Sequence, residues 1–306
     1  MARYITKRLI LLFPVVFGVA TLVFFLIHII PGDPVEVMLG ETAMPSAKEE
    51  LRKALGLDKA LAEQYLIFLK NALIGDLGRS LHTNKPVLSA VIERYPATLE
   101  LTITALIISI LISIPAGIIS AVKKNSFIDR LSMLFALFGV SIPNFWLGPL
   151  LIMLFSVQLG LLPVAGRESI FHLILPALTL GMGMAAILSR MTRASMLEVL
   201  NKEYITAAKA KGLSNFIVIV KHGLRNALIP IVTVIGLQFG ALLAGAVITE
   251  TIFSWPGIGR LMIQAINTRD YPLVQGCILI IALSYVLINL LTDILYAYID
   301  PRIRYE

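Results

Sequence analysis

One cysteine in 306 residues removes several chemistries at once. Cys277 has no partner for a disulfide within the chain and belongs to no metal-ligating spacing; it reads as a small buried hydrophobe. Histidine is scarce as well. His28, His82, His172 and His222 lie far apart and no His-Glu-x-x-His occurs, which argues against a membrane metalloenzyme. The Gly-x-Ser-x-Gly of a nucleophile elbow is missing. So is Gly-x4-Gly-Lys-Ser/Thr, so the chain has no P-loop in which to cradle ATP phosphates. Charged residues make up 15%, where a soluble domain carries about a quarter. Segments of alternating hydrophobicity, the mark of a transmembrane β-barrel, are lacking, as are internal repeats and low-complexity stretches. No ionisable residue sits at the centre of an apolar run. His28, Glu100 and Glu250 fall at outer ends and Asp293 in the inner third of the last run. A proton relay keeps such groups near the midplane despite a cost of about 3 kcal/mol each. Interfacial anchoring or a helix–helix hydrogen bond is the expectation for all four.

What the chain has is hydrophobicity: 58% of its residues are apolar and mean hydropathy is +0.86. Six runs reach or approach the ~18–20 residues that cross a bilayer, at 9–30, 99–122, 131–162, 170–188, 227–252 and 273–299. The class is an all-α polytopic membrane protein with a single transmembrane domain over residues 1–306. The third run spans ~48 Å as a helix, too long for one crossing, and Pro143, Gly148 and Pro149 interrupt it. It is either a kinked span with an interfacial piece or two short spans. Arg3, Lys7 and Arg8 precede the first run, which is too long for a signal-peptide core. Pro31-Gly32-Asp33-Pro34 follows it in place of a small-x-small cleavage site, so the run is a retained first span.

The net charge of +7 reflects loops rather than a nucleic-acid partner. Lys123, Lys124 and Arg130 mark one basic loop. Arg190, Arg193, Lys202, Lys209, Lys211, Lys221 and Arg225 mark another, at 190–226. Both belong on the cytoplasmic side, so an even number of crossings separates them. Six spans with both termini cytoplasmic satisfy this parity. The external loop at 31–98 is long. Ser46-x-x-Glu49 reads as a capping box, with Leu51 and Leu55 on one face and Gly56 as the stop. Asp58 is placed to cap a second helix bearing Tyr65, Phe68, Leu69 and Leu73 and ending at Gly75. Two amphipathic helices over the outer face would serve as a platform for an external partner or as a structural lid. Gly236-x3-Gly240-x3-Ala244 makes a small-residue face on the fifth run, for packing against a second subunit or within this one.

The cytoplasmic loop holds the most informative segment, Glu203 to Gly212. Asn201 is a plausible N-cap and Gly212 a plausible residue just past the helix end. Ala207, Ala208 and Ala210 let another backbone approach closely, and Lys209 and Lys211 suit the helix dipole. A second helix starts at Ser214 and carries Phe216, Ile217, Ile219 and Val220. An amphipathic helix resting on anionic lipid is the plain alternative.

Glu203, Ala207-Ala208, three residues, Gly212, nine residues, then His222-x-Leu224 resembles the coupling loop of ATP-binding-cassette importer permeases, Glu-Ala-Ala-x3-Gly-x9-Ile-x-Leu-Pro. Glu203 stands four residues before Ala207, His222 replaces Ile and Arg225 replaces Pro. These departures are similar to the dipeptide, oligopeptide and nickel branch. That branch also resembles this chain in Leu55-Gly56-Leu57-Asp58, Gly75-Asp76-Leu77-Gly78-Arg79-Ser80, Glu250 through Leu261, Arg269-Asp270-Tyr271-Pro272 and Asp300-Pro301-Arg302-Ile303-Arg304-Tyr305; Ala60 stands where a proline is usual.

The resemblance implies a type I importer permease-like bundle in the inner membrane of a prokaryote, a pore subunit without catalysis of its own. It implies a homologous second permease, two cytoplasmic ATPase subunits that bind ATP and Mg, and an extracytoplasmic solute-binding protein, with no cofactor in this chain. Membrane lipid surrounds it. Glu203, Ala207, Ala208, Lys211 and Gly212 are then the ATPase-coupling residues. The competing function is a stand-alone secondary carrier or channel for a small polar solute, which would transport without ATPases.

Overall fold

A computed structural model describes residues 2–29, 34–40, 43–54 and 56–299. Pro31-Gly32-Asp33, Leu55 and the terminal 300–306 segment lie outside the described residues, as do the side chains of Arg3, Lys7, Arg8, His28, Pro34 and Leu51. Helix α1 (Ala2–Ile29) leads to α2 (Pro34–Leu39), α3 (Pro45–Ala54) and α4 (Leu61–Leu73). Then come α5 (Val87–Val122), α6 (Phe127–Ser141), and α7 (Asn144–Leu151) with a π-helical extension (Ile152–Gln158). Next are α8 (Phe171–Leu200), α9 (Glu203–Ala210), and α10 (Asn215–Ile217), which passes through a π-helical turn (Val218–Leu224) into α11 (Arg225–Ile252). The last two are α12 (Ile258–Asn267) and α13 (Tyr271–Ile299). Among the described residues the only strand-type pairing is an isolated bridge from Arg79 to Pro86.

Several helices outrun the apolar runs that announce them. Helix α5 starts at Val87, not at 99, and its 36 residues span about 54 Å. Helix α8 continues to Leu200, past the basic residues Arg190 and Arg193. The segment 215–252 is one continuous helix, so the expected break before 227 is absent. The physical reason is common to all three. A helix satisfies its backbone internally whether it sits in lipid or water, so charge ends the apolar run without ending the helix. Among the described residues four helices are long and apolar enough to cross a membrane, at 87–122, 171–200, 215–252 and 271–294. The third apolar run is broken: α6 and the α7 segment meet at 106° across Ile142 and Pro143. Residues ahead of a proline are pushed out of the α region, and Ile142 is accordingly extended at ψ 115°.

The segment between α1 and α5 differs in its caps from the expectation. Helix α3 begins at Pro45, which puts Ser46 inside the first turn, so the expected capping box does not form. Gly56 does terminate it, at φ +68°. Ala60, rather than Asp58, precedes α4, and a Lys59–Glu63 pair at 2.8 Å supports its first turn. Helix α4 lies against α1: Tyr65 shares a 2.6 Å hydrogen bond with Thr21, Phe17, Phe24 and Phe25 surround the Tyr65 ring, and Phe68 packs on Phe24.

The core lies where α5, α8 and α11 meet, around Leu101, Ala105, Leu180, Leu188, Met196 and Ile231. Small residues set the spacing. The Gly236-Gly240 face packs within this chain: a methyl group on Gly236 would come within 1.8 Å of the Thr292 methyl of α13, and one on Gly240 within 2.6 Å of the Tyr285 ring. The reading of these two glycines as a contact with a second subunit is thereby replaced by an α11–α13 seam. Overpacking typically costs about 1–3 kcal/mol. Gly236→Val is expected at the upper end, measured by unfolding in detergent, and a change below ~0.5 kcal/mol would show that the seam yields freely.

Candidate functional site

Helix α9 is a short rod between two long helices, packed by one face against the end of α8 and the π-helical turn that follows. Asn201, the expected cap, is instead the helical C-terminal residue of α8, and Lys202 turns extended to start α9. Lys211 closes it through a 3.1 Å bond to the Ala207 carbonyl. Gly212 follows at φ +76°, a left-handed conformation that glycine adopts without Cβ strain. Ser214 then caps the next helix, accepting from the Ile217 amide. The turn is thus local: glycine reverses the chain and serine restarts it.

The five predicted coupling residues divide between two faces of α9. Ile205 and Ala208 point inward onto Val218 and Leu200, with Ala208 only 7% exposed. Glu203, Ala207, Lys211 and Gly212 are exposed. The outer stripe follows the i, i+4 spacing of positions 203, 207 and 211. Tyr204 at 42% and Phe216 at 74% exposure extend it with aromatic surface. This face presents one carboxylate, one ammonium group and two rings around a small central alanine. Neither Glu203 nor Lys211 forms an ion pair among the described residues.

Beside α9, the α5–α6 turn is bolted to α8. Arg193 donates twice to Asp129, Nε to Oδ1 at 2.7 Å and Nη2 to Oδ2 at 2.8 Å. The Ser120 hydroxyl also donates to Oδ1, and the Asn125 amide donates to Oδ2 at 2.8 Å. Asn125 sits at φ +63°, which aims its N–H at the carboxylate, and Ser126 caps α6. Asp129 is buried, so a full set of donors replaces its water. The sequence showed these residues only as loop charges. The signal available was Asn125-Ser126-x-x-Asp129 opening an apolar run, a helix-start pattern.

A second buried carboxylate lies at the far end of α11, about 40 Å from Arg225 along the helix. Glu250 accepts from Thr98 at 2.6 Å and from the Arg260 amide at 3.0 Å, and Thr98 in turn accepts from the Ile258 amide at 2.9 Å. Trp255 donates through its ring N–H to the Ala97 carbonyl at 2.8 Å. A methyl group on Gly257 would lie 2.1 Å from a Glu250 oxygen, so the glycine leaves room for the carboxylate. The expected helix–helix hydrogen bond for Glu250 is therefore present, from α11 to α5. Glu100 pairs with Arg167 at 2.6 Å, with the guanidinium over the Trp255 ring. Ser80 donates to Asp270 at 2.5 Å, joining two stretches far apart in sequence. These are knots of structure; among the described residues no three His, Cys, Asp or Glu side chains converge as a metal site.

Two family models cover the chain. Residues 1–102 match the N-terminal membrane component of binding-protein-dependent transport systems, and residues 113–305 match the inner membrane component of those systems. The dipeptide transport system permease DppB of Alkalihalophilus pseudofirmus is 49% identical over 333 aligned positions, with both chains covered in full. The glutathione transport system permease GsiC of Escherichia coli K12 is 47% identical over 306, again with full coverage of both. Among solved structures, the inward-facing MetNI methionine ABC transporter aligns with a TM-score of 0.58 at 19% identity, over 70% of this chain and 97% of that one. This last likeness establishes the fold. The chain therefore belongs to the binding-protein-dependent transport system inner membrane components, the multi-pass permeases of prokaryotic ABC importers, in the branch that holds DppB and GsiC.

Proposed function

We propose that this chain forms half of a pore for short peptides and that α9 is the lever through which partner ATPases drive it. The observation that carries the reading is the placement of α9. It protrudes between α8 and the continuous 215–252 helix, with Glu203, Ala207, Lys211 and Gly212 outermost. A push on α9 has a rigid route into the core, because α8 and α11 are packed together there. Full-length similarity to permeases named for dipeptides and glutathione supports peptides as the solute. In this reading the α9 end is cytoplasmic, α1, α5, the broken α6–α7 pair, α8, α11 and α13 are the six spans, and both termini lie inside. ATP and Mg stay with the two ATPase subunits. A homologous permease completes the pore and a solute-binding protein docks at the α12 end.

The burial of Ala208 moves the contact to Ala207. In the assembled transporter, Ala207→Cys is expected to cross-link to a cysteine in the ATPase groove, and Ala208→Cys is not. Equal cross-linking at both positions would mean that α9 is not seated as described. Reconstituted alone, the chain is expected to move no peptide; uptake by the lone chain would establish an independent carrier.

A further inference from the structure

Side-chain amides without a hydrogen-bond partner among the described residues include Asn144, Gln238, Gln275 and Asn289, and the first two share one cleft. Gln238 lies 13 residues into the 28-residue α11, close to its midpoint, and Asn144 opens α7 just beyond the Pro143 break. Neither side chain has a hydrogen-bond partner among the described residues. Both line one open cleft between α7, α8 and α11, floored by Leu180, Met184 and Leu242, with Gly183 and Gly245 keeping it wide. The cleft has a volume of about 190 Å³. Three hydroxyls of these helices behave differently, although the buried Thr249 hydroxyl of α11 also has no partner among the described residues. Thr179, Thr192 and Thr233 each turn back to a carbonyl one turn earlier, as polar groups in lipid do. A carboxamide cannot satisfy both its donors and its acceptor that way, and in hydrocarbon an unmet amide is costly. Amides retained on one concave surface therefore face something polar.

Resting on the reading of this chain as a peptide permease, we propose that the Asn144–Gln238 cleft is the stretch of this subunit's wall that touches the solute, hydrogen-bonding the peptide backbone as it passes. A carboxamide offers a donor and an acceptor side by side, as a peptide unit does, so two of them match any sequence of side chains. The described lining of the cleft carries no charge, so neither terminus of a zwitterionic peptide is trapped there. A binding step during transport needs contacts that are strong enough to guide and weak enough to release, and neutral hydrogen bonds have that strength.

The test uses the complete transporter in proteoliposomes, with alanyl-alanine and glutathione as probes. Cys277 is fully buried, so this chain contributes no accessible thiol of its own, and labelling is read on this chain after its separation from the partners. Gln238→Cys and Asn144→Cys are expected to react with a charged, membrane-impermeant thiol reagent. Whichever probe the unsubstituted transporter takes up should slow that reaction severalfold. Leu237→Cys, on the neighbouring exposed apolar face, should stay unreactive. Gln238→Leu should lower the kcat/KM of uptake about tenfold, the worth of one good hydrogen bond, with ATPase assembly unchanged. Unreactive cysteines at both positions would show that the face is packed against the second permease and would overturn the proposal. So would reaction that the transported probe leaves untouched. Failure of the unsubstituted transporter to take up either peptide would instead strike the peptide reading itself.

Discussion

Asp129→Ala is expected to cost about 3 kcal/mol in unfolding measured in detergent, because it leaves the Arg193 guanidinium half-buried and unpaired. The range for such breaks is about 3–5 kcal/mol, and the partial exposure of Arg193 places this one at the low end. The geometry allows a sharper statement. The carboxylate takes four donors: two from Arg193, one from Ser120 and one from the Asn125 amide. Asp129→Ala with Arg193→Ala should recover part of the loss, since the stranded charge is gone. The charge exchange Asp129→Arg with Arg193→Asp should not recover it, because Ser120 and Asn125 would still point their hydrogens at a cation. Full recovery by exchange would reduce the constellation to a simple ion pair. Ser120→Ala should weaken the cluster by about 1.5 kcal/mol, the lower end of the range for one hydrogen bond to a charged group.

The second large effect concerns Gly212. Gly212→Val is expected to reduce ATP-driven peptide uptake more than tenfold while membrane insertion and assembly persist. A β-branched residue at φ +76° is strained whatever space surrounds it, and among the described residues nothing lies within 4 Å of the added Cβ. The strain therefore acts on the turn alone, re-aiming α9 without disturbing the core. Gly212→Asn, which tolerates the left-handed region, should retain much of the activity. If Gly212→Val transported normally, α9 would not be the coupling element. If Gly212→Asn failed as badly as valine, the ATPase would need the bare backbone at this point rather than the turn.

These two sites differ in how openly the sequence carries them. Gly212 announces itself: an alanine-bearing helix followed by glycine and then a serine cap is a local pattern, and each part acts on backbone within a few residues. The stretches around Ser80 and Asp270 were each recognisable, but their meeting depends on the path of the chain across 190 residues. Asp129 and Arg193 are 64 residues apart and look like ordinary members of two basic loops. Nothing local distinguishes Arg193 from Arg190, which stays exposed three residues earlier on the same helix.

Apolar runs and their punctuation by lysine and arginine were enough to establish a helical membrane protein, because lipid leaves the backbone few alternatives. They were enough to place the end of the α9 rod, where Gly212 and Ser214 act on nearby backbone, but not its start, since the expected cap Asn201 belongs to α8. Where the long helices end was beyond them, since a helix leaving the bilayer changes solvent and keeps its hydrogen bonds. Which side of α9 is free was likewise beyond them. The alanine pair is symmetrical in sequence, and only the docking of Ile205 against Val218 turns Ala208 inward and Ala207 out. The same holds for Gly236, whose neighbour Thr292 lies 56 residues on, and for the unmatched amides of Asn144 and Gln238. Contacts between distant segments depend on how side-chain shapes fit once the helices have packed, and that fit is a property of the assembled bundle.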